Sequence, residues 1–170
     1  MGGNRTVGIG MDDSANSKSA LRWAIDNLVD SGDRIILIHV HSSKADHPQK
    51  KLWEGTGSPL IPLDEFKEMN IGKQYGLNPD PEVLDILDTV SRTKQVKVVC
   101  KIYWGDPREK LCDAVGDLKL NSLVVGSRGL GKLKRLYIHQ SPIYLLFLLI
   151  FLSLFVEEVF FEGVFGCLVN

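Results

Sequence analysis

Cysteine is scarce in this chain. Cys100, Cys112 and Cys167 form no close pair and leave an odd one over. That excludes a disulfide scaffold or a compact zinc module and fits a reducing compartment. Neither sign of charge is in excess. The formal net charge is −1, with 24% of residues charged and 44% hydrophobic. A protein held on nucleic-acid phosphates needs a basic surplus, so no nucleic-acid partner is expected. The apolar content also excludes a wholly disordered chain. The N-terminus lacks a basic-then-apolar run, so no secretory signal peptide is expected. At 170 residues the chain suits one domain with a sizeable core.

These shortages are unevenly distributed. All twenty Lys and Arg residues lie at or before Arg135, and six of the seven Phe residues lie after it. Residues 137–170 carry only three acidic groups, Glu157, Glu158 and Glu162. Two kinds of sequence therefore meet near Leu136: a charge-balanced body over 1–136 and an apolar tail over 137–170.

In the body, Arg5–Met11 reads as a buried strand that ends at Asp12-Asp13-Ser14. Asn16 or Ser17 is the expected cap of the next helix, whose stripe is Ala20, Leu21, Ala24, Ile25 and Leu28. Arg34–His41 follows as a second strand, apolar on both faces, which calls for helices on both sides of a parallel sheet. Residues 42–79 hold four prolines and read as a long surface excursion, with one short helix near 63–70. Pro79-Asp80-Pro81 starts a helix to about Thr93, striped by Val83, Leu84, Leu87 and Val90. Val96–Tyr103 is a third strand, and Asp106 caps a helix whose stripe is Leu111, Cys112, Val115 and Leu118. Asn121–Gly126 is a fourth strand, entering the glycine-rich run Gly126, Ser127, Arg128, Gly129, Leu130 and Gly131.

This alternation predicts an α/β fold with a doubly wound parallel sheet. Ligands of such sheets bind beyond the carboxyl ends of the strands, where the strand order reverses. The Asp12-Asp13 turn and the glycine run both belong to that edge. Closely spaced glycines let backbone N–H groups surround an anion, and Arg128 and Lys132 add positive charge. The run is not a nucleoside-triphosphatase P-loop, because Leu133 stands where a magnesium-holding Ser or Thr belongs. With no base or nucleophile evident beside Asp12, no enzymatic activity is expected. His39 and His41 project to one face of a strand without a third ligand, so they are expected to be packed rather than to hold metal. Trp53 and Trp104 read as rim residues beside loops, and Ser58-Pro59 as a proline-directed phosphorylation site.

From Arg5 to Leu136 the chain resembles the universal stress proteins, UspA-like, of the small single-domain plant type. The resemblance runs through VGIGMDDSANSKSALRWAIDNL, IILIHV, SPLIPLDEF, PDPEVLDILDT and WGDPREKLCDAVGDLKLNSLVVGSRGLG. It implies a stress-responsive protein that binds an adenine nucleotide, ATP or AMP, with strand order 3-2-1-4-5. It also implies a homodimer formed through the fifth strand. By the same match Asp12 sits near the ribose or phosphates, and Val40 meets the adenine edge through its backbone. Members that bind ATP carry G-x2-G-x9-G-[S/T] after the fourth strand. Gly126 and Gly129 supply the first half here, but His139 and Gln140 replace the second. Weakened ATP binding is the expectation, with a non-nucleotide interaction or chaperone-like protein as the alternative.

The tail lacks the pattern of the family's last helix and fifth, dimer-forming strand, so both are expected to be missing. Residues 143–156 form an uncharged run of fourteen, about 21 Å long as a helix and shorter than a bilayer core of about 30 Å. Three readings stay open: a marginal membrane anchor, a segment packed on the sheet, or an aberrant C-terminus from an alternative exon or translated intron. The expected location is cytoplasmic, with membrane association through 143–156 as the alternative.

Overall fold

Strands rich in Val, Ile and Leu on both faces are stable only when both faces are covered. The computed structural model arranges them so, and it describes residues 4–42, 50–68 and 73–126 together with the backbone of 136–139. Strand β1 (Thr6–Gly10) leads through helix α1 (Ala15–Asn27) to β2 (Arg34–His41). Short elements follow: α2 (Lys50–Trp53), β3 (Ile61–Pro62) and α3 (Leu63–Phe66). Helix α4 (Pro81–Thr93), β4 (Lys97–Trp104), α5 (Pro107–Asp117), β5 (Ser122–Val125) and β6 (Leu136–His139) complete the order.

The sheet order is β3-β4-β2-β1-β5-β6. Its four long strands are parallel, with Ile9 in register with Leu37 and Val124, and Ile38 with Lys101. Counted along the chain without the short β3, they stand 3-2-1-4, the order expected from the resemblance. The switch point lies at β1, whose neighbours are β2 and β5.

Each face has its own core. Val7, Ile9, Ile35, Leu37, Val98, Cys100 and Val124 meet Ala20, Leu21 and Ala24 of α1 and Val83, Leu87 and Val90 of α4. On the other face Ile36, Ile38, Val99 and Leu123 meet Ala114 and Val115 of α5. Each fully buried leucine, such as Leu21 or Leu87, contributes about 1.5–3 kcal/mol. Gly8 is small for a packing reason, since a Cβ there would lie 2.5 Å from Leu120. At the amino end of the sheet the Asp33 carboxylate, 0% exposed, accepts bonds from the Arg5 N–H, the Arg5 guanidinium and the Asp30 N–H. It ties the starts of β1 and β2 together.

Four expectations need correction. Helix α1 is capped by Ser14, whose Oγ accepts the Ser17 N–H at 3.2 Å, not by Asn16 or Ser17. Ser17 is instead buried, because β1 ends early enough for Ser14 to reach the open amides. The segment after β2 is not only a surface excursion. Its described part covers the sheet, with Ile61, Leu63, Phe66 and Tyr75 in the core and β3 antiparallel on β4. Trp104 is no rim residue but is enclosed in the core, whereas Trp53 packs partly buried against it. Beyond β5, where no strand was expected, β6 pairs antiparallel, Val125 facing Leu136 and Ser122 facing His139. β-branched and aromatic content in the segment Leu-Tyr-Ile-His suits an edge strand. The family's last helix, the run 143–156 and Ser127 to Gly131 lie outside the described residues.

Candidate functional site

The carboxyl ends of β1, β2, β4 and β5 form one edge. At β1 the chain leaves the sheet through Asp12 and Asp13. The Asp12 carboxylate accepts both the Ser14 N–H at 3.1 Å and its hydroxyl at 2.6 Å, closing a local turn. Asp13 takes a left-handed φ of 59°, a conformation that Asp tolerates better than most residues. Burial, reinforced by Asp80 and Asp12 and opposed by Lys18, raises the Asp13 carboxyl above its ordinary value.

The amino end of α1 opens onto this edge, with no acidic residue in its first turn. Its dipole favours an anion there. Lys18 on the same helix is committed elsewhere, its Nζ donating to Asp80 at 2.5 Å and Glu82 at 3.1 Å on the α4 side. Gly126, the first residue after β5, lies directly against this turn. A Cβ there would fall 2.5 Å from the Asn16 carbonyl and 2.7 Å from the Ser17 nitrogen. The start of the glycine run and the start of α1 therefore share one crevice, and only glycine allows the approach.

Val40 borders the crevice through its backbone. In a parallel ladder, alternate residues of a strand turn their amide and carbonyl to the same neighbour. The Met11 N–H bonds to the Ile38 carbonyl at 2.8 Å on the β1 side. Val40, two residues on, faces the same way, where β1 has already given place to the Asp12 turn. His41 faces oppositely, its carbonyl accepting the Gly105 N–H at 2.9 Å on the β4 side.

Asp12, Val40 and Gly126 thus come to one edge. Ser127, Arg128, Gly129, Leu130 and Gly131 lie outside the described residues. His139, which stands at the first position of the motif's second half, takes a different course. The His139 backbone pairs with Ser122 at the amino end of β5, about 10 Å down the strand from Val125 at roughly 3.4 Å per residue.

Sequence reasoning missed a polar cluster beneath this edge. His39, 5% exposed, stacks at 6.0 Å from Phe66, while His41 lies 6.2 Å and Tyr75 6.5 Å from Trp104. Burial, with a smaller effect of His41, pushes the His39 imidazole down to about 4, although Asp12 acts in the other direction. His39 is therefore neutral at physiological pH. Its Nε2 and the Trp104 Nε1 are enclosed without a hydrogen-bond partner among the described residues. A strand histidine in an otherwise apolar run is the only signal that the sequence offers for this.

Among the described residues no three His, Cys, Asp or Glu side chains gather as a metal site. No described helix is long and apolar enough to cross a membrane. Ser58 is unavailable to a kinase in the folded chain. It is 0% exposed, and its Oγ accepts the Ile102 N–H at 3.0 Å and donates to the Pro59 carbonyl at 2.8 Å. The phosphorylation expectation is withdrawn on that ground.

Residues 3–146 match the model of the universal stress protein family. This chain belongs to the universal stress protein family. The universal stress protein PHOS32 of Arabidopsis thaliana is 29% identical over 143 residues, which cover 79% of this chain and 55% of PHOS32. PHOS34 of the same plant is 30% identical over 145 residues, with 79% and 53% coverage. This universal stress chain spans about half the length of these two curated relatives. Among solved structures, an Arabidopsis thaliana universal stress protein family protein with AMP bound aligns at a TM-score of 0.44 and 22% identity. That alignment covers 75% of this chain and 79% of the other.

Proposed function

We propose that this universal stress protein is a stress-responsive adenine-nucleotide binder that retains the base and ribose side of the site and has a reduced phosphate side. The contact of Gly126 with the first turn of α1 carries this reading, since it joins the two loops that a nucleotide must bridge. The adenine edge meets the Val40 backbone, the ribose meets Asp12, and the first phosphate meets the α1 amides and the Gly126 loop. Further phosphates find little. In place of the glycine that opens the motif's second half stands His139, whose backbone runs along β6.

Two or three charge-assisted bonds at about 1.5–3 kcal/mol each are thereby forgone. AMP and ATP should consequently bind with similar, weak affinity. The protein acts by ligand-dependent association rather than by turnover, in the cytoplasm. Titration calorimetry with AMP, ATP and adenosine tests this reading. Near-equal affinity for AMP and ATP supports it, whereas micromolar ATP binding much tighter than that of AMP overturns it. The departure at His139 and Gln140 favours a second reading, an interaction or chaperone-like protein with an empty crevice. Absence of binding for all three ligands would select it.

A further inference from the structure

Helices α1 and α4 carry more apolar surface than the sheet covers. Ala20, Leu21 and Ala24 of α1 and Val83, Leu87 and Val90 of α4 fill the core. Ile25 and Ile86 widen these stripes by one residue each, and both are only half-buried. With Val90 at its floor, they line a groove between the two helices of about 440 Å³, a volume typical of ligand sites. Both ends of the groove are tied. The Arg22 guanidinium pairs with Glu82 one turn before Ile25 and Ile86. At the other end the Lys94 ammonium donates to the Ile25 carbonyl at 2.5 Å and the Val29 carbonyl at 2.8 Å. These ties fix the spacing of the helices, and a preformed groove spares a partner the cost of ordering it. The Thr93 hydroxyl is spent on its own helix, donating to the Thr89 carbonyl at 2.9 Å.

The charges on the rim choose the occupant. Asp26 of α1 and Asp85 of α4 are exposed and line the groove. Nearby cations are engaged elsewhere: Lys18 with Asp80 and Glu82, Arg22 with Glu82, Arg92 with Asp88 and Lys94 with carbonyls. Neither Asp26 nor Asp85 holds an ion pair among the described residues. An apolar floor between two unmatched carboxylates is complementary to an apolar ridge flanked by cations. We propose that the α1–α4 groove docks an amphipathic helix of a partner protein, apolar on one face with arginine or lysine on both sides of it. An anchor row at i, i+4 and i+7 is about 10.5 Å long, and residues 85–94 offer a wall of about 13.5 Å. Ile25 lies about 15 Å along α1 from Ala15 at the crevice, so the groove is separate from the candidate nucleotide site.

The test is titration of the full chain with a labelled alanine-based helical peptide of about sixteen residues, with leucine at i, i+4 and i+7 and arginine on both flanks. Binding should saturate and shift the methyl resonances of Ile25, Ile86 and Val90, leaving Leu123 on the opposite face unmoved. Ile86→Glu should weaken binding by at least about tenfold, because it places a carboxylate on the apolar wall. Asp26→Asn with Asp85→Asn should weaken it by about three- to tenfold, the range that two exposed ion pairs allow, and added salt should erase that difference. Asp26→Lys with Asp85→Lys should reject the arginine peptide and accept its glutamate counterpart. If Ile86→Glu does not fold, the two rim variants decide. Absence of saturable binding, equal binding of the glutamate peptide by the parent, or shifts outside the groove overturns the proposal. Groove shifts that grow with protein concentration alone would assign the face to a second copy and overturn it too. The same holds if Ile86→Glu, without peptide, opens residues 143–156 to proteolysis, which would assign the groove to the chain's own tail.

Discussion

Gly126 and Asn16 meet backbone to backbone: a Cβ on Gly126 would lie 2.5 Å from the carbonyl carbon and oxygen of Asn16. Neither partner is a flexible side-chain end, so neither can yield cheaply. The contact locks the mouth of β5 to the first turn of α1, and that geometry makes the crevice.

Gly126→Ala should therefore destabilise the chain by about 1–3 kcal/mol, the usual cost of overpacking. It should also reduce AMP binding more than any mutation on the far face of α1. Urea denaturation reads the first effect and calorimetry the second. Wild-type stability in the variant would mean that the two backbones are not in contact.

Restoring the nucleotide motif by His139→Gly with Gln140→Ser should not recover tight ATP binding. Residue 139 pairs with Ser122, at the end of β5 opposite the crevice, so the added glycine has no phosphate to meet. The expected ATP affinity is within about twofold of the parent, well under the tenfold that 1.4 kcal/mol produces. A gain of several powers of ten would show that β6 is displaced when nucleotide binds.

Ser58 should behave as a core residue. Ser58→Ala leaves the buried Ile102 N–H without its acceptor, at a cost of about 1–3 kcal/mol in chemical denaturation. Ser58→Asp should cost more, because a buried carboxylate must be desolvated. A proline-directed kinase should incorporate phosphate at Ser58 only once denaturant has opened the fold.

Asp80 links α4 to α1 and should impose acid sensitivity. The hydrogen bond from Lys18 holds its carboxyl below the ordinary value of 3.8, helped by backbone N–H groups at the α4 cap. A carboxyl depressed in the folded state contributes stability that is present above the unfolded value and lost as pH falls below it. Asp80→Asn keeps the cap but removes the ion pair. The variant should melt lower than the parent at pH 7, and the gap should close as pH falls from 4 towards the depressed folded value. Melting curves across that range check it.

The elements legible beforehand were those whose causes are local. Asp80 and Asp106 cap α4 and α5 through their own residues two positions on, with Pro81 and Pro107 preset for the first turn. The stripe Val83, Leu87 and Val90 is buried as its spacing implies. Asp12, Val40 and Gly126 carried roles implied by a resemblance in motif, and the fold brings them to one edge because each lies at or within two residues of the carboxyl end of a parallel strand. Ser58 and Trp104 were misjudged for one shared reason. Burial belongs to the chain that covers a residue, and nothing within a few positions of Trp104 announces Tyr75 above it.

The sequence by itself thus determined the alternation of strand and helix, the parallel sheet and the family, because apolar periodicity and caps act over neighbouring residues. Only the tertiary structure decided that Ser14 rather than Asn16 closes α1, that β6 carries His139 away from the crevice, and that Trp104 stands in register with His41. Each of these depends on strand ends and registers set by residues far apart in the chain, and a one-residue change of register would alter every one of them.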